Sequence, residues 1–169
     1  MYFDIIPLLF FEILLAGKIE DQINTVVRQI AFYDFECKLH EARSKGELSS
    51  DQINELWMSV QGPSLGPAFE FMDGYETFWA YIPHFVHSPF YVYAYAFGDG
   101  LVNALYSTYE AGDKNFKEKY IHMLQAGGSK HHTELLKPFG LDATDPKFWG
   151  LGLELISKMI DELEALNIE

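Results

Sequence analysis

The chain has 169 residues, a formal net charge of −13, 49% apolar residues and 16% aromatic residues. That is one domain's worth of chain, enough to bury roughly 70% of its unfolded surface. So acidic a chain is a poor match for nucleic acid, whose phosphates need Lys and Arg, or for an anionic membrane surface.

The N-terminal stretch MYFDIIPLLFFEILLAG lacks the positive start of a signal peptide, and Asp4 and Glu12 interrupt its apolar run. From Ile5 to Ala16 it is too short to cross a bilayer. It is expected as a short core helix, with residues 1–14 an atypical segment ahead of a single helical domain over 15–169. From Lys18 to about Arg43, Ile19, Ile23, Val26, Val27, Ile30, Phe35 and Leu39 recur mostly at three- and four-residue steps, which predicts a long helix. Glu36 and Glu41 read as a solvated face of it. The lone Cys37 cannot form an internal disulfide, which fits a reducing cytoplasm, and its acidic neighbours argue for a buried structural cysteine rather than a catalytic thiolate.

Ser49 or Ser50 is expected to cap a second helix through Ile53, Leu56, Trp57 and Val60. Gly62-Pro63, Gly66-Pro67, Gly74 and Pro83 then mark residues 62–83 as a loop, one rich in aromatic residues and so suited to function or to packing over a cleft. The segment from His84 reads as one buried helix of roughly 25 residues, with Gly98 and Gly100 allowing close packing or a kink. Asp113 is expected to begin a further helix, ended by Gly127-Gly128, and Ser129 to cap a short one that stops before Pro138. Asp145-Pro146 opens the last helix, which carries Leu153, Ile156, Ile160 and Leu163. The fold class is all-α, with six to seven helices.

Familiar catalytic signatures are missing. There is no glycine-rich phosphate loop, no Gly-x-Ser-x-Gly, no Cys-x-x-Cys and no zinc-binding His-Glu-x-x-His. His84 and His87 stand three apart beside Ser88-Pro89, in a turn leading into the helix; a metal pair there is an alternative that lacks nearby carboxylates. His131-His132 read as a solvated face, and His40 and His122 as ordinary helical positions. Tyr91 and Tyr95 are i, i+4 neighbours on a helix, with Tyr93 roughly opposite. These tyrosines are either core and rim aromatics or phenols that face a cleft and donate to an oxyanion.

The stretch YIPHFVHSPFYVYAYAFGDGLVNALY, from Tyr81 to Tyr106, resembles the C-terminal region of the oligoendopeptidase F family of thimet-oligopeptidase-like zinc peptidases. VVRQIAFYDFE at Val26–Glu36, GELSSDQINELW at Gly46–Trp57, LQAGGS at Leu124–Ser129 and LLKPFGLD at Leu135–Asp142 agree in order. The resemblance runs from about Leu15 to the end, while Met1 to Leu14 departs from the family pattern.

The resemblance implies a multi-helix lobe flanking a deep channel in a cytoplasmic zinc enzyme that cleaves short peptides. It implies that the His…Phe-Tyr-x-Tyr pattern supplies Tyr93 as oxyanion donor, His84 and Tyr91 as substrate-positioning groups, and Tyr95 as a further substrate contact. Zinc belongs to the full-length family enzyme, held through His-Glu-x-x-His and a later glutamate. This chain is therefore expected to be a C-terminal fragment that binds no zinc alone and is inactive by itself. The alternative is a non-catalytic helical protein that binds peptides or a partner chain: a subunit complementing the metal-binding part, a self-associating protein or a gene relic.

Overall fold

A computed structural model describes residues 2–166, with side chains described from Leu9 onward. Its described residues form helices joined by turns and short irregular segments, with no strand among them. Six long helices carry the fold: α1 (Tyr2–Thr25), α2 (Val27–Ser44), α3 (Ser50–Leu65), α5 (Tyr93–Glu110), α6 (Phe116–Ala126) and α8 (Pro146–Ala165). Two short ones, α4 (His84–His87) and α7 (His132–Leu136), lie between them, and four 3₁₀ segments complete the set. The expected all-α class is what the chain forms.

The chain gathers into two compact units, one made of Met1–Asp21 with Gly98–Glu169 and the other of Gln22–Phe97. Helix α1 runs through residue 14 without a break. The long pattern from Lys18 to Arg43 is divided at Val26 between α1 and α2, although Val26 and Ile30 still make helical hydrogen bonds across the division (2.8 and 3.1 Å).

In the unit of residues 22–97, α2 contributes Ala31, Phe32 and Phe35 to the core, α3 contributes Trp57 and Val60, and Val92 closes it from the turn before α5. The Trp57 ring meets Phe35 edge-on at 5.1 Å and Phe32 at 5.5 Å. Burying each such ring stabilises the fold by about 1.5–3 kcal/mol. Helix α3 starts with a reciprocal cap: Gln52 N–H donates to Ser49 Oγ (3.3 Å) and Ser49 N–H donates to Gln52 Oε1 (2.8 Å).

The expected end of α3 at Gly62-Pro63 is not where the helix stops. It continues to Leu65, because Pro63 in the last turn forfeits only one backbone hydrogen bond, and Gly66 N–H closes the end on Gly62 O. Residues beyond it are not an open loop either. Tyr75–Tyr81 form a 3₁₀ helix entered through Gly74 at φ 94°, a conformation natural to glycine. Trp57 Nε1 donates to Tyr75 O (3.0 Å) and Trp79 Nε1 to Asn54 Oδ1 (2.7 Å), so the aromatic residues of this segment lie against α3 and complete the core.

The segment after Pro83 differs most from expectation. Instead of one buried helix it forms α4, a turn at Ser88–Tyr91 and then α5. A proline disfavours helical backbone in the residue before it, and Ser88 sits at φ −145°, ψ 64°. Helix α5 is two-faced: Ala96, Asn103, Ala104 and Leu105 are buried, whereas Tyr93, Tyr95, Tyr106 and Tyr109 are exposed.

In the other unit, Leu136, Phe139, Phe148 and Ile156 are buried. A Cβ on Gly152 would lie 3.4 Å from the Gly100 Cα, and one on Gly100 would lie 3.0 Å from the Trp149 ring, so glycine lets α5 and α8 approach closely. Asp145 caps α8 through Lys147 N–H (2.9 Å) with Pro146 at its first position, as the sequence predicts. Helix α6 begins at Phe116 rather than at Asp113, whose carboxylate is bound to Lys119 Nζ instead (2.6 Å). His131, not Ser129, caps α7.

Candidate functional site

The break between α4 and α5 builds a small polar-aromatic group. His84 opens α4, Tyr91 follows the turn, and Tyr95 lies in the first turn of α5. Reversing the chain between the two helices brings His84 Nε2 to 3.1 Å from the Tyr95 hydroxyl, a hydrogen bond across 11 residues. The Tyr91 ring meets Tyr95 edge-on at 5.7 Å and lies parallel to the His84 imidazole, with centroids 6.3 Å apart. His84 is half-buried and both tyrosines are exposed, while the adjoining Phe85 and Val92 belong to the core of this unit.

Tyr93 is turned the other way, as helical periodicity requires two residues before Tyr95. Its ring, 52% exposed, packs edge-on against Tyr33 of α2 at 5.8 Å. Tyr33 in turn meets Phe90 at 6.1 Å, and His40 meets Phe90 at 4.7 Å. The Tyr33 phenol is held above its usual titration range, first by its hydrogen bond with Cys37 and then by electrostatic interactions with Cys37, by desolvation and by Tyr93 and Glu36. The expected residues thus fall into two places: His84, Tyr91 and Tyr95 together, and Tyr93 with Tyr33.

Two neighbours were not legible as part of this region. Tyr33 lies inside the block Val26–Glu36 but has no motif of its own. Glu36 is fully buried, contrary to the solvated face expected for it, and its Oε1 accepts the Phe90 N–H at 2.9 Å. Only Glu41 of that pair is solvent-facing, in an ion pair with Lys45 at 2.7 Å. Glu36 follows Phe32 by four positions, which puts it on the apolar stripe of α2, but only its distant partner shows it buried. Cys37 is partly rather than fully buried.

Chemically, two phenols and an imidazole offer hydrogen-bond donors to a carbonyl oxygen and an acceptor to an amide. Residues 8–155 of the chain match peptidase family M3. The chain belongs to peptidase family M3.

Among its relatives, an oligoendopeptidase F homolog of Borreliella burgdorferi is 36% identical over 128 residues, covering 75% of this chain and 22% of the relative. The plasmid oligoendopeptidase F of Lactococcus lactis subsp. cremoris is 33% identical over 144 residues, covering 85% and 24%. The crystal structure of oligoendopeptidase-F from Enterococcus faecium superposes with a TM-score of 0.83 at 27% identity, over 92% of this chain and 30% of that one. The M3 chain described here thus spans about a quarter of the length of the curated relatives it matches.

The donors among the described residues do not gather into a site that fits a resident zinc ion. Among the described residues no three His, Cys, Asp or Glu side chains gather in a group able to hold one. His84 is engaged by Tyr95, and His87, at the other end of α4, is exposed. No helix among the described residues is long and apolar enough to cross a membrane.

Proposed function

We propose that this M3 chain supplies the substrate-facing residues of an oligoendopeptidase that hydrolyses short peptides in the cytoplasm. The observation that carries this reading is the His84–Tyr95 hydrogen bond with Tyr91 packed beside it. In this reading His84 and Tyr91 hold the peptide backbone, Tyr95 orients His84 and touches the substrate, and Tyr93 donates to the oxyanion of the tetrahedral intermediate. One such donor is worth about 2.7–4 kcal/mol of barrier. The metal and general base of the reaction belong to a His-Glu-x-x-His that this sequence does not contain.

The test is a fluorogenic oligopeptide assay of the chain with zinc present, paired with calorimetric titration of an uncleaved peptide. Binding without hydrolysis is expected. Robust hydrolysis by the chain alone overturns the division of labour, and absence of binding at millimolar peptide overturns the substrate-facing role. Tyr91→Phe and Tyr93→Phe separate the two phenols: the first is expected to weaken peptide binding, the second to leave ground-state binding intact.

A second reading is a non-catalytic protein that binds a partner chain or itself. Leu9, Phe10, Phe11, Ile13 and Leu14, exposed along α1, favour it. Analytical ultracentrifugation decides: concentration-dependent association supports this reading, and a monomer at all concentrations that binds peptide removes it.

A further inference from the structure

Against the turn that precedes Tyr91 lies an acid that the proposed chemistry does not use. We propose that Glu36 is a positioning residue for the His84 group, acting through the backbone of Phe90. The proposal deepens the substrate-facing reading and rests on it.

Helix α2 buries four side chains, Ala31, Phe32, Phe35 and Glu36. Three are apolar members of the core, and the fourth is fully buried between the same two helical turns. Burying a carboxyl group costs more than burying a Leu or Met of similar size. Here one of its oxygens, Oε2, has no hydrogen-bond partner, so the site is not tailored to the acid as a whole. What Glu36 supplies that an apolar residue could not is an acceptor for the Phe90 N–H, 54 positions away.

That N–H belongs to a strained turn. Tyr91 N–H closes the turn on Ser88 O at 3.1 Å, with Pro89 second and Phe90 third. Phe90 has φ 59°, a region that bulky L-residues seldom adopt. Proline second and positive φ third are the marks of a type II turn, which ordinarily takes Gly or Asn at that third place. Phe90 has no such freedom and is held from outside: its N–H by Glu36, its ring by Tyr33 and His40. The next residue is Tyr91, whose ring meets Tyr95 and faces His84. Releasing Phe90 to negative φ would rotate the chain at the point where Tyr91 departs. Glu36 therefore fixes where the Tyr91 phenol stands relative to His84 and Tyr95.

The test uses the chain without ligand, by NMR. The readouts are Phe90 amide exchange and the Tyr91–Tyr95 ring contact, with far-ultraviolet dichroism as a check on the helices. Glu36→Gln keeps an acceptor oxygen and is expected to preserve both signals. Glu36→Met keeps the volume but no acceptor, and is expected to speed Phe90 exchange about 10- to 100-fold and lose the ring contact with helicity unchanged. Adding Phe90→Gly to Glu36→Met should restore a turn at this place, because glycine adopts positive φ without strain.

A Glu36→Met variant that retains Phe90 protection and the ring contact overturns the proposal. So does a wild-type Phe90 amide that exchanges as freely as an unprotected one, a result that stands even if Glu36→Met does not fold. Because these signals need no peptide, failure of the wild type to bind peptide sinks the substrate-facing reading alone. The role of Glu36 in holding the turn is decided separately.

Discussion

His84 Nε2 lies 3.1 Å from the Tyr95 hydroxyl, joining the first residue of α4 to the first turn of α5. Where the phenol donates this bond, Nε2 accepts and Nδ1 carries the imidazole proton. Tyr95→Phe keeps the ring against Tyr91 and removes only this bond. Because the bond is solvent-facing, stability should fall by less than about 1 kcal/mol. Imidazole ¹⁵N shifts of His84 should move towards a mixture of tautomers, and peptide affinity should drop about tenfold. Unchanged ¹⁵N shifts would show that the phenol does not govern the ring.

Tyr33 is tied to Cys37, and that hydrogen bond is the first cause of its raised titration range. Cys37→Ala should bring Tyr33 back towards the ordinary tyrosine value of about 10, read by ultraviolet titration of the phenolate. The sign follows from linkage: a raised folded-state value contributes stability that is present below the unfolded value and lost as pH rises through the folded one. Wild type should therefore lose more stability than Cys37→Ala as the pH climbs above about 10. Identical alkaline titrations of the two proteins would refute this.

The Trp79 indole N–H donates to Asn54 Oδ1 at 2.7 Å and secures the aromatic segment to α3. Asn54→Ala leaves that half-buried donor unpaired and should cost about 1–2 kcal/mol in urea unfolding. Ser49→Ala, which removes the cap of the same helix, should cost about 1 kcal/mol. A loss at Asn54 no greater than that of a surface alanine substitution would mean that water satisfies the indole.

Three glycines make a graded comparison. Gly100→Ala would place a methyl 3.0 Å from the Trp149 ring, and Gly152→Ala would place one 3.4 Å from the Gly100 backbone. Gly100→Ala should destabilise by about 1–3 kcal/mol, whereas the ordinary van der Waals contacts met by Gly152→Ala should leave stability within about 1 kcal/mol of wild type. Gly98→Ala meets nothing within 4 Å and should be neutral or stabilising by up to about 1 kcal/mol. Thermal melts of the three variants check the order; a Gly98→Ala loss equal to that of Gly100→Ala would rule out close approach as the cause.

What could be read in advance follows the range of each interaction. The Ser49–Gln52 cap and the Asp145-Pro146 start lie within one helical turn, so residue type and spacing carry the signal. The i, i+4 relation of Tyr91 and Tyr95 was likewise legible, and it survives although Tyr91 precedes α5, because a turn gives the two rings helix-like spacing. The His84–Tyr95 bond was not legible, since it depends on how the chain reverses at Ser88–Tyr91. Nor was the aromatic lining of residues 62–83, which is tied to α3 by Trp79 donating to Asn54 and by the Tyr75 carbonyl accepting from Trp57.

By itself, the sequence determined the helical class, the starts of α3 and α8 and the M3 family, because each rests on local residue type and spacing or on blocks in fixed order. It also placed His84, Tyr91, Tyr93 and Tyr95 in one segment. Only the tertiary structure decided that three of them form one group while Tyr93 turns to Tyr33. It alone decided that Glu36 is a core residue rather than a surface charge. The reason is that a carboxyl group on a helix looks solvated until its distant partner is known, and the Phe90 N–H lies 54 residues away.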